Sequence, residues 1–168
     1  MPRQSSIEII RSKILNKEEL ALQLVRWSFF SKKVVFTNGC FDLLHLGHID
    51  YLAKAADEGD ILIVGLNSDA STSGLKGAGR PINGQEQRSM VLAALDIVSA
   101  VVIFDEPTPI ELIRTIQPDV LIKGSDYSVE KIVGYDIVKA KNGTVKTIDY
   151  LEGYSTTLIE EKIRSSRK

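Results

Sequence analysis

His45 and His48 are the only imidazoles in the 168-residue chain, and they stand three positions apart with Gly47 between them. They follow a short apolar run, Val34-Val35-Phe36, and a turn signal, Asn38-Gly39. Such a run suits a buried strand, and the pattern predicts a helix beginning near Gly47. A helix start exposes unpaired N–H groups and a partial positive charge, so it attracts anions, phosphate above all. Two imidazoles there add movable donors, and the glycine lets a ligand lie against the backbone. That combination describes phosphoryl or nucleotidyl transfer. Two other readings stay open at this point: Cys40, Asp42, His45 and His48 as zinc-type ligands, or both histidines as satisfied core residues.

The elements that must carry this loop form an α/β rhythm. Strands are predicted at 34–36, 61–66, 100–104, 120–123 and 144–149. Helices are predicted at 48–58, 85–95, after Pro107-Thr108-Pro109, at 129–141 and from Ser155 to Arg164. The alternation implies a Rossmann-like five-stranded parallel sheet with helices on both faces, plus an N-terminal helical extension. Residues 1–32 form that extension, with stripes at Ile7, Ile10, Ile14 and at Leu20, Leu24, Trp27, and Asn16 as a cap between them; residues 33–168 form the main domain. Asn67 to Gly84 reads as one long polar loop containing Lys76 and Arg80. In such sheets ligands sit beyond the strand C-termini, which is where the suspicious loops fall.

Composition narrows the partners. A formal net charge of -1 gives no basic excess for a nucleic-acid backbone. No segment approaches a membrane span, the first residues lack a signal-peptide core, and a single cysteine excludes an internal disulfide. The expectation is a cytoplasmic protein with neither nucleic-acid nor membrane partners.

GCFDLLHLGH at 39–48 resembles the signature of the His-x-Gly-His nucleotidylyltransferases, the cytidylyltransferase-like superfamily, and GYSTTLI at 153–159 resembles its second signature. Within that superfamily, LKGAGRPINGQEQR at 75–88, LIKGSDY at 121–127 and GYSTT at 153–157 are most similar to the adenylyltransferases that make ADP-heptose from D-glycero-β-D-manno-heptose 1-phosphate, a precursor of the lipopolysaccharide core. That activity occurs alone or fused behind a sugar kinase, and this chain resembles the stand-alone form. Glycerol-3-phosphate cytidylyltransferases carry an arginine shortly before the Ser-Thr-Thr motif, whereas Tyr150-Leu151-Glu152-Gly153 stands here, which favours ATP over CTP.

The resemblance implies ATP and a sugar 1-phosphate as substrates, Mg²⁺ accompanying ATP, and direct in-line displacement of pyrophosphate. It implies catalytic roles for His45, His48 and Lys76. Nucleotide contacts fall to Asn38, Gly39, Cys40, Phe41, Gly47, Gly124, Asp126, Tyr154, Ser155, Thr156 and Thr157, and the substrate phosphate to Arg80 and Arg88. Asp42 would orient a histidine or face the hydrated Mg²⁺. Blander readings stand beside these: Arg88 as a helix-surface charge, Ser155 and Thr156 as plain N-caps, Cys40 as a packing residue. A homodimer is a further expectation, with a cytidylyltransferase for an alcohol phosphate and a non-catalytic nucleotide-binding module as alternative functions.

Overall fold

The structure is a computed structural model and describes residues 4–126 and 128–166. Five parallel strands, β1 (Val34–Gly39), β2 (Ile61–Asn67), β3 (Ala100–Phe104), β4 (Val120–Gly124) and β5 (Thr144–Ile148), lie in the order β3-β2-β1-β4-β5. The chain winds from β1 outward to β3 and then returns to β4 on the other side of β1. The winding therefore reverses between β1 and β4, and a crevice opens at their carboxyl ends.

Both faces of the sheet are covered, which is why the central strands read as unbroken apolar runs. On one face Val35, Val64, Val101 and Ile122 pack with Tyr51, Leu52 and Ala55 of α3 (Leu46–Ala56) and with Leu92 and Ala93 of α5 (Gln85–Ala93). On the other, Phe36, Ile63 and Leu121 pack with Ile113 and Ile116 of α6 (Ile110–Ile116) and with Val138 of α7 (Tyr135–Ala140). Among the described residues no helix is long and apolar enough to cross a membrane.

The N-terminal residues straddle the sheet's β3 edge. Two capping boxes start the helices: Ser5 with Glu8 for α1 (Ser6–Arg11), and Asn16 with Glu19 for α2 (Lys17–Phe29). Between them Val101 N–H donates to the Lys13 carbonyl and Leu15 N–H to the Val101 carbonyl, at 2.8 and 2.9 Å. Ile10 packs on one face of the sheet while Leu15 and Leu20 enter the core of the other. Ile14, expected on a helical stripe, instead lies in this bridge to Val101.

Three expectations need correction. The stretch Asn67 to Gly84 contains a helix, α4 (Asp69–Lys76), capped by the Ser68 hydroxyl, which accepts the Ser71 N–H at 3.1 Å. Its sequence is poor in helix formers, and buried Ser71 and Thr72 hold it against the end of β2 through Asn67. The helix expected at 129–141 is a short 3-10 turn, Val129–Lys131, followed after left-handed Gly134 by α7. Helix α3 starts at Leu46, which makes His45 its N-cap.

Candidate active site

A cavity of about 680 Å³ opens beyond the carboxyl ends of β1 and β4, large enough for a nucleotide-sized ligand. His45 and His48 line it, their rings stacked with centroids 3.8 Å apart and planes 25° apart. Gly47 suits that closeness: a Cβ there would come 3.1 Å from His45 Nδ1 and 3.3 Å from the Tyr154 Cβ, tight contacts to which those side chains would have to yield. Phe41, held in the left-handed region at φ 44°, brings its ring 5.3 Å from that of His48. A left-handed non-glycine residue is uncommon and marks local strain at this loop.

Nδ1 of His45, Nδ1 of His48 and Oδ1 of Asn38 are buried without a hydrogen-bond partner. Native structures leave few such atoms, and all three belong to residues that line the cavity. Burial pushes the His48 imidazole down to about 4, with the charges of His45 and Lys76 adding to the effect and a backbone interaction with Leu43 opposing it. Burial also lowers His45. Both rings are therefore neutral at neutral pH, each carrying one N–H to donate.

Cations stand on two sides. Lys76, the last residue of α4, lines the cavity from the β2 side. Lys123 lines it from the end of β4, its Nζ 3.2 Å from the Asn38 carbonyl; burial lowers its pKa while Asp126 and Cys40 pull the other way. Tyr150 lies across the end of β4 with its hydroxyl donating to Asp126 Oδ1 at 3.1 Å. Gly124 is what lets it do so, because a Cβ there would fall 1.9 Å from the Tyr150 oxygen. Beside the histidine loop, where Tyr154 approaches Gly47, Ser155 N-caps α8 (Thr156–Ser165), its hydroxyl accepting the Leu158 N–H at 3.1 Å.

Of the residues expected from the sequence, Asn38, Gly39, Cys40, Phe41, His45, Gly47, His48, Lys76, Gly124, Asp126, Tyr154, Ser155 and Thr156 share this cavity. Tyr127, the aromatic of the Gly-x-Asp-aromatic stretch, lies outside the described residues. Asp42, Arg80, Arg88 and Thr157 are not on its wall. Asp42 is 1% exposed; its carboxylate takes Arg80 Nη1 at 2.8 Å, Ile82 N–H at 2.6 Å and Asn83 N–H at 3.3 Å, which holds its pKa low despite burial. It neither orients a histidine nor offers a cation an open position. Arg88 is neither a surface charge nor directed at the cavity: 2% exposed, it donates to the carbonyls of Cys40 at 2.5 Å and Asn83 at 2.9 Å and to Asp69 at 2.8 Å. Arg80 spans Asp42 and Glu160.

Among the described residues, no three histidine, cysteine or carboxylate side chains cluster as ligands, and the stacked imidazoles and committed Asp42 do not match the zinc arrangement the loop also suggested. Sequence reasoning missed Tyr51, Asn67, Lys123 and Tyr150 on the wall. Lys123 had a signal: a charge inside the otherwise apolar run Val120-Leu121-Ile122. Tyr51 had none, since it reads as one more apolar residue of a helix face.

The sequence profile of the cytidylyltransferase-like family matches residues 36–166, from mid-β1 to the end of α8. The chain belongs to the cytidylyltransferase-like family. Among individual relatives, the bifunctional protein HldE of Citrifermentans bemidjiense is 54% identical over 155 residues, covering 92% of this chain and 32% of that protein. The HldE of Campylobacter jejuni is 55% identical with the same coverage. This cytidylyltransferase-like chain spans about a third of the length of the curated relatives it matches. Among solved structures, a lipopolysaccharide core biosynthesis protein from Thermoplasma volcanium superimposes with a TM-score of 0.58 at 25% identity, over 74% of this chain and 99% of that one. A pantoate-beta-alanine ligase from Francisella tularensis gives 0.56 at 18% identity, over 92% and 78%, a likeness of fold.

Proposed function

We propose that the chain is an adenylyltransferase that moves AMP from ATP to D-glycero-β-D-manno-heptose 1-phosphate, giving ADP-heptose and pyrophosphate. The observation that carries the chemistry is the pair of neutral, stacked imidazoles with unpartnered Nδ1 atoms at the start of α3, facing a nucleotide-sized cavity. The choice of sugar rests on the stretches at 75–88, 121–127 and 153–157 that resemble ADP-heptose synthases, and on the similarity to HldE proteins and to a lipopolysaccharide core biosynthesis protein.

In this reading an oxygen of the sugar phosphate forms a bond to the α-phosphorus of ATP as the bond from that phosphorus to the bridging oxygen breaks, and pyrophosphate leaves with the electron pair. The protein positions and neutralises. His45 and His48 donate to the α-phosphate and to the bridging oxygen, where negative charge grows; loss of one such donor typically costs roughly a hundredfold to a thousandfold in rate. Lys76 holds phosphate as a point charge, and the N-terminus of α8 with Ser155 and Thr156 receives the outer phosphates. Asp126 meets the ribose or the sugar hydroxyls. A Mg²⁺ would be held chiefly by the triphosphate oxygens.

The test is pyrophosphate release with ATP, Mg²⁺ and a panel of sugar and alcohol phosphates, read together with product mass. Turnover with the heptose phosphate and an ADP-sugar product is the expected result; turnover only with CTP and an alcohol phosphate, or none at all, overturns the reading. A non-catalytic module would bind nucleotide and retain that binding in His48→Ala with no turnover in either protein. The reading includes a cytoplasmic setting, supported by the free thiol of Cys40. It also includes a homodimer through the outer face of α2, where Leu22, Val25 and Phe29 are exposed on one side and Glu18 and Arg26 would pair across an antiparallel contact. Light scattering checks the assembly.

A further inference from the structure

Helix α8 carries one of the helix starts that line the cavity, yet it is only loosely embedded. None of its described residues is buried, and Leu158 and Ile163 are 47% and 52% exposed. If Ser155 and Thr156 are to meet the same ligand as His45 and His48, something must hold α8 at a fixed distance from the histidine loop. Tyr154 packs on Gly47 where the helix begins, and one side chain ties the next turn of the helix to the loop. Arg80 donates through Nη1 to Asp42 at 2.8 Å and through Nη2 to Glu160, which lies on α8 one turn beyond Thr156.

The two ends of this bridge differ in a telling way. Asp42 is fully buried three residues before His45, and Ile82 and Asn83 fix its other oxygen, so it is an immovable anchor. The Asn83 side chain also donates to the Asp42 carbonyl at 3.2 Å. Glu160 is 18% exposed at its side chain and belongs to a helix with little other attachment; its nearest further cation is Arg164, at 3.9 Å and 81% exposed. Charge-assisted, partly buried bonds of this kind are stronger than surface ion pairs, so the bridge can set where α8 sits.

We propose that Arg80 is a positioning residue, a latch through which buried Asp42 fixes α8 relative to the histidine loop so that both helix starts meet one triphosphate. This rests on the reading of the cavity as a nucleotide site. It replaces the expectation that Arg80 grips the substrate phosphate itself: the fork is engaged at both ends, and the residue does not line the cavity.

The two ideas separate in a double-mutant cycle on the full chain with Glu160→Gln, Arg80→Gln and the pair. The latch predicts that each single change raises KM for ATP about tenfold, with little change in kcat or in KM for the sugar phosphate, and that the double is no worse than either single. It also predicts that amide hydrogens of residues 156–165 exchange about tenfold faster in each variant without nucleotide, while exchange in β1 and β2 stays put. Arg80→Lys, which cannot span both carboxylates, should not rescue. Normal exchange and normal KM in Glu160→Gln alongside a defect in Arg80→Gln overturns the latch and returns Arg80 to the ligand. Additive losses in the double overturn it as well. Should wild-type protein turn over no sugar phosphate, the proposed activity fails while the exchange experiment still decides the latch.

Discussion

The depressed pKa of His48 makes the histidine loop a measurable liability at mildly acidic pH. In the folded protein this imidazole stays neutral down to about 4, against an ordinary value of 6.5. Once unfolded it takes up its proton near the ordinary value, so between these limits the unfolded state binds more protons, and stability falls as pH falls. At about 1.4 kcal/mol for each tenfold change in proton affinity, the full contribution is roughly 3 kcal/mol, and residual solvent access to the ring brings the expected figure to about 2 kcal/mol. The assay is urea denaturation of wild type and His48→Gln at pH 7 and at pH 4.5, with the difference between the two proteins isolating His48 from the carboxylates. Wild type should lose about 2 kcal/mol more than the variant over that range, most of it below pH 6.5. Parallel pH profiles for the two proteins would refute the reasoning, because the burial and the neighbouring charges would then not be holding the ring neutral.

Three further outcomes follow from the packing. Gly124→Ala forces the Tyr150 hydroxyl off Asp126, so nucleotide affinity by calorimetry should fall about tenfold, while the melting temperature barely moves because Tyr150 is 55% exposed. Tyr51→Phe removes the partner of the Thr37 hydroxyl, 2.7 Å away and wholly buried, and should lower stability in urea by about 1 to 2 kcal/mol; adding Thr37→Val should recover most of it. Leu20→Ala, at a site 1% exposed on the buried side of α2, should lower stability by about 2 to 5 kcal/mol, an effect expected only if α2 unfolds together with the sheet.

The elements that announce themselves in this sequence are those whose stability is local or whose burial is two-sided. Ala100 to Phe104 is a strand in both accounts because every residue is apolar, and Asn16 is a cap because its side chain accepts the Glu19 N–H three residues on, a local bond. Helix α4 was illegible for the opposite reason. Asp69, Ser71, Thr72, Ser73 and Gly74 are weak helix formers, and what makes them helical is contact with Asn67 and Glu106 at the ends of neighbouring strands. The site divides the same way. Within the loop from Asn38 to His48, the two histidines and Gly47 could be named from their spacing and the nucleotide contacts from the resemblance to the His-x-Gly-His nucleotidylyltransferases. Asp42, Arg80 and Arg88 could be singled out but not given their partners, because Asp42 meets Arg80 across 38 positions and Arg88 meets Cys40 across 48.

That division has a physical logic for catalysis. The histidine loop is bonded to excess on its outer side, where Arg80, Ile82, Asn83 and Arg88 all donate to Cys40 or Asp42. On its inner side it is left short, with Nδ1 of both histidines and Asn38 Oδ1 unpaired. An unpaired buried polar atom costs free energy, and a rigid backing keeps three of them from relaxing toward one another or toward water. On the function proposed above, Arg80 and Arg88 would serve by holding the loop whose imidazoles meet the phosphate, so that little reorganisation remains to be done as charge develops there. Substitutions of Asp42 or Arg88 on the outer side should cost stability and turnover together, whereas the latch Arg80 acts mainly on KM and substitutions on the inner side cost turnover and leave stability unchanged or raised.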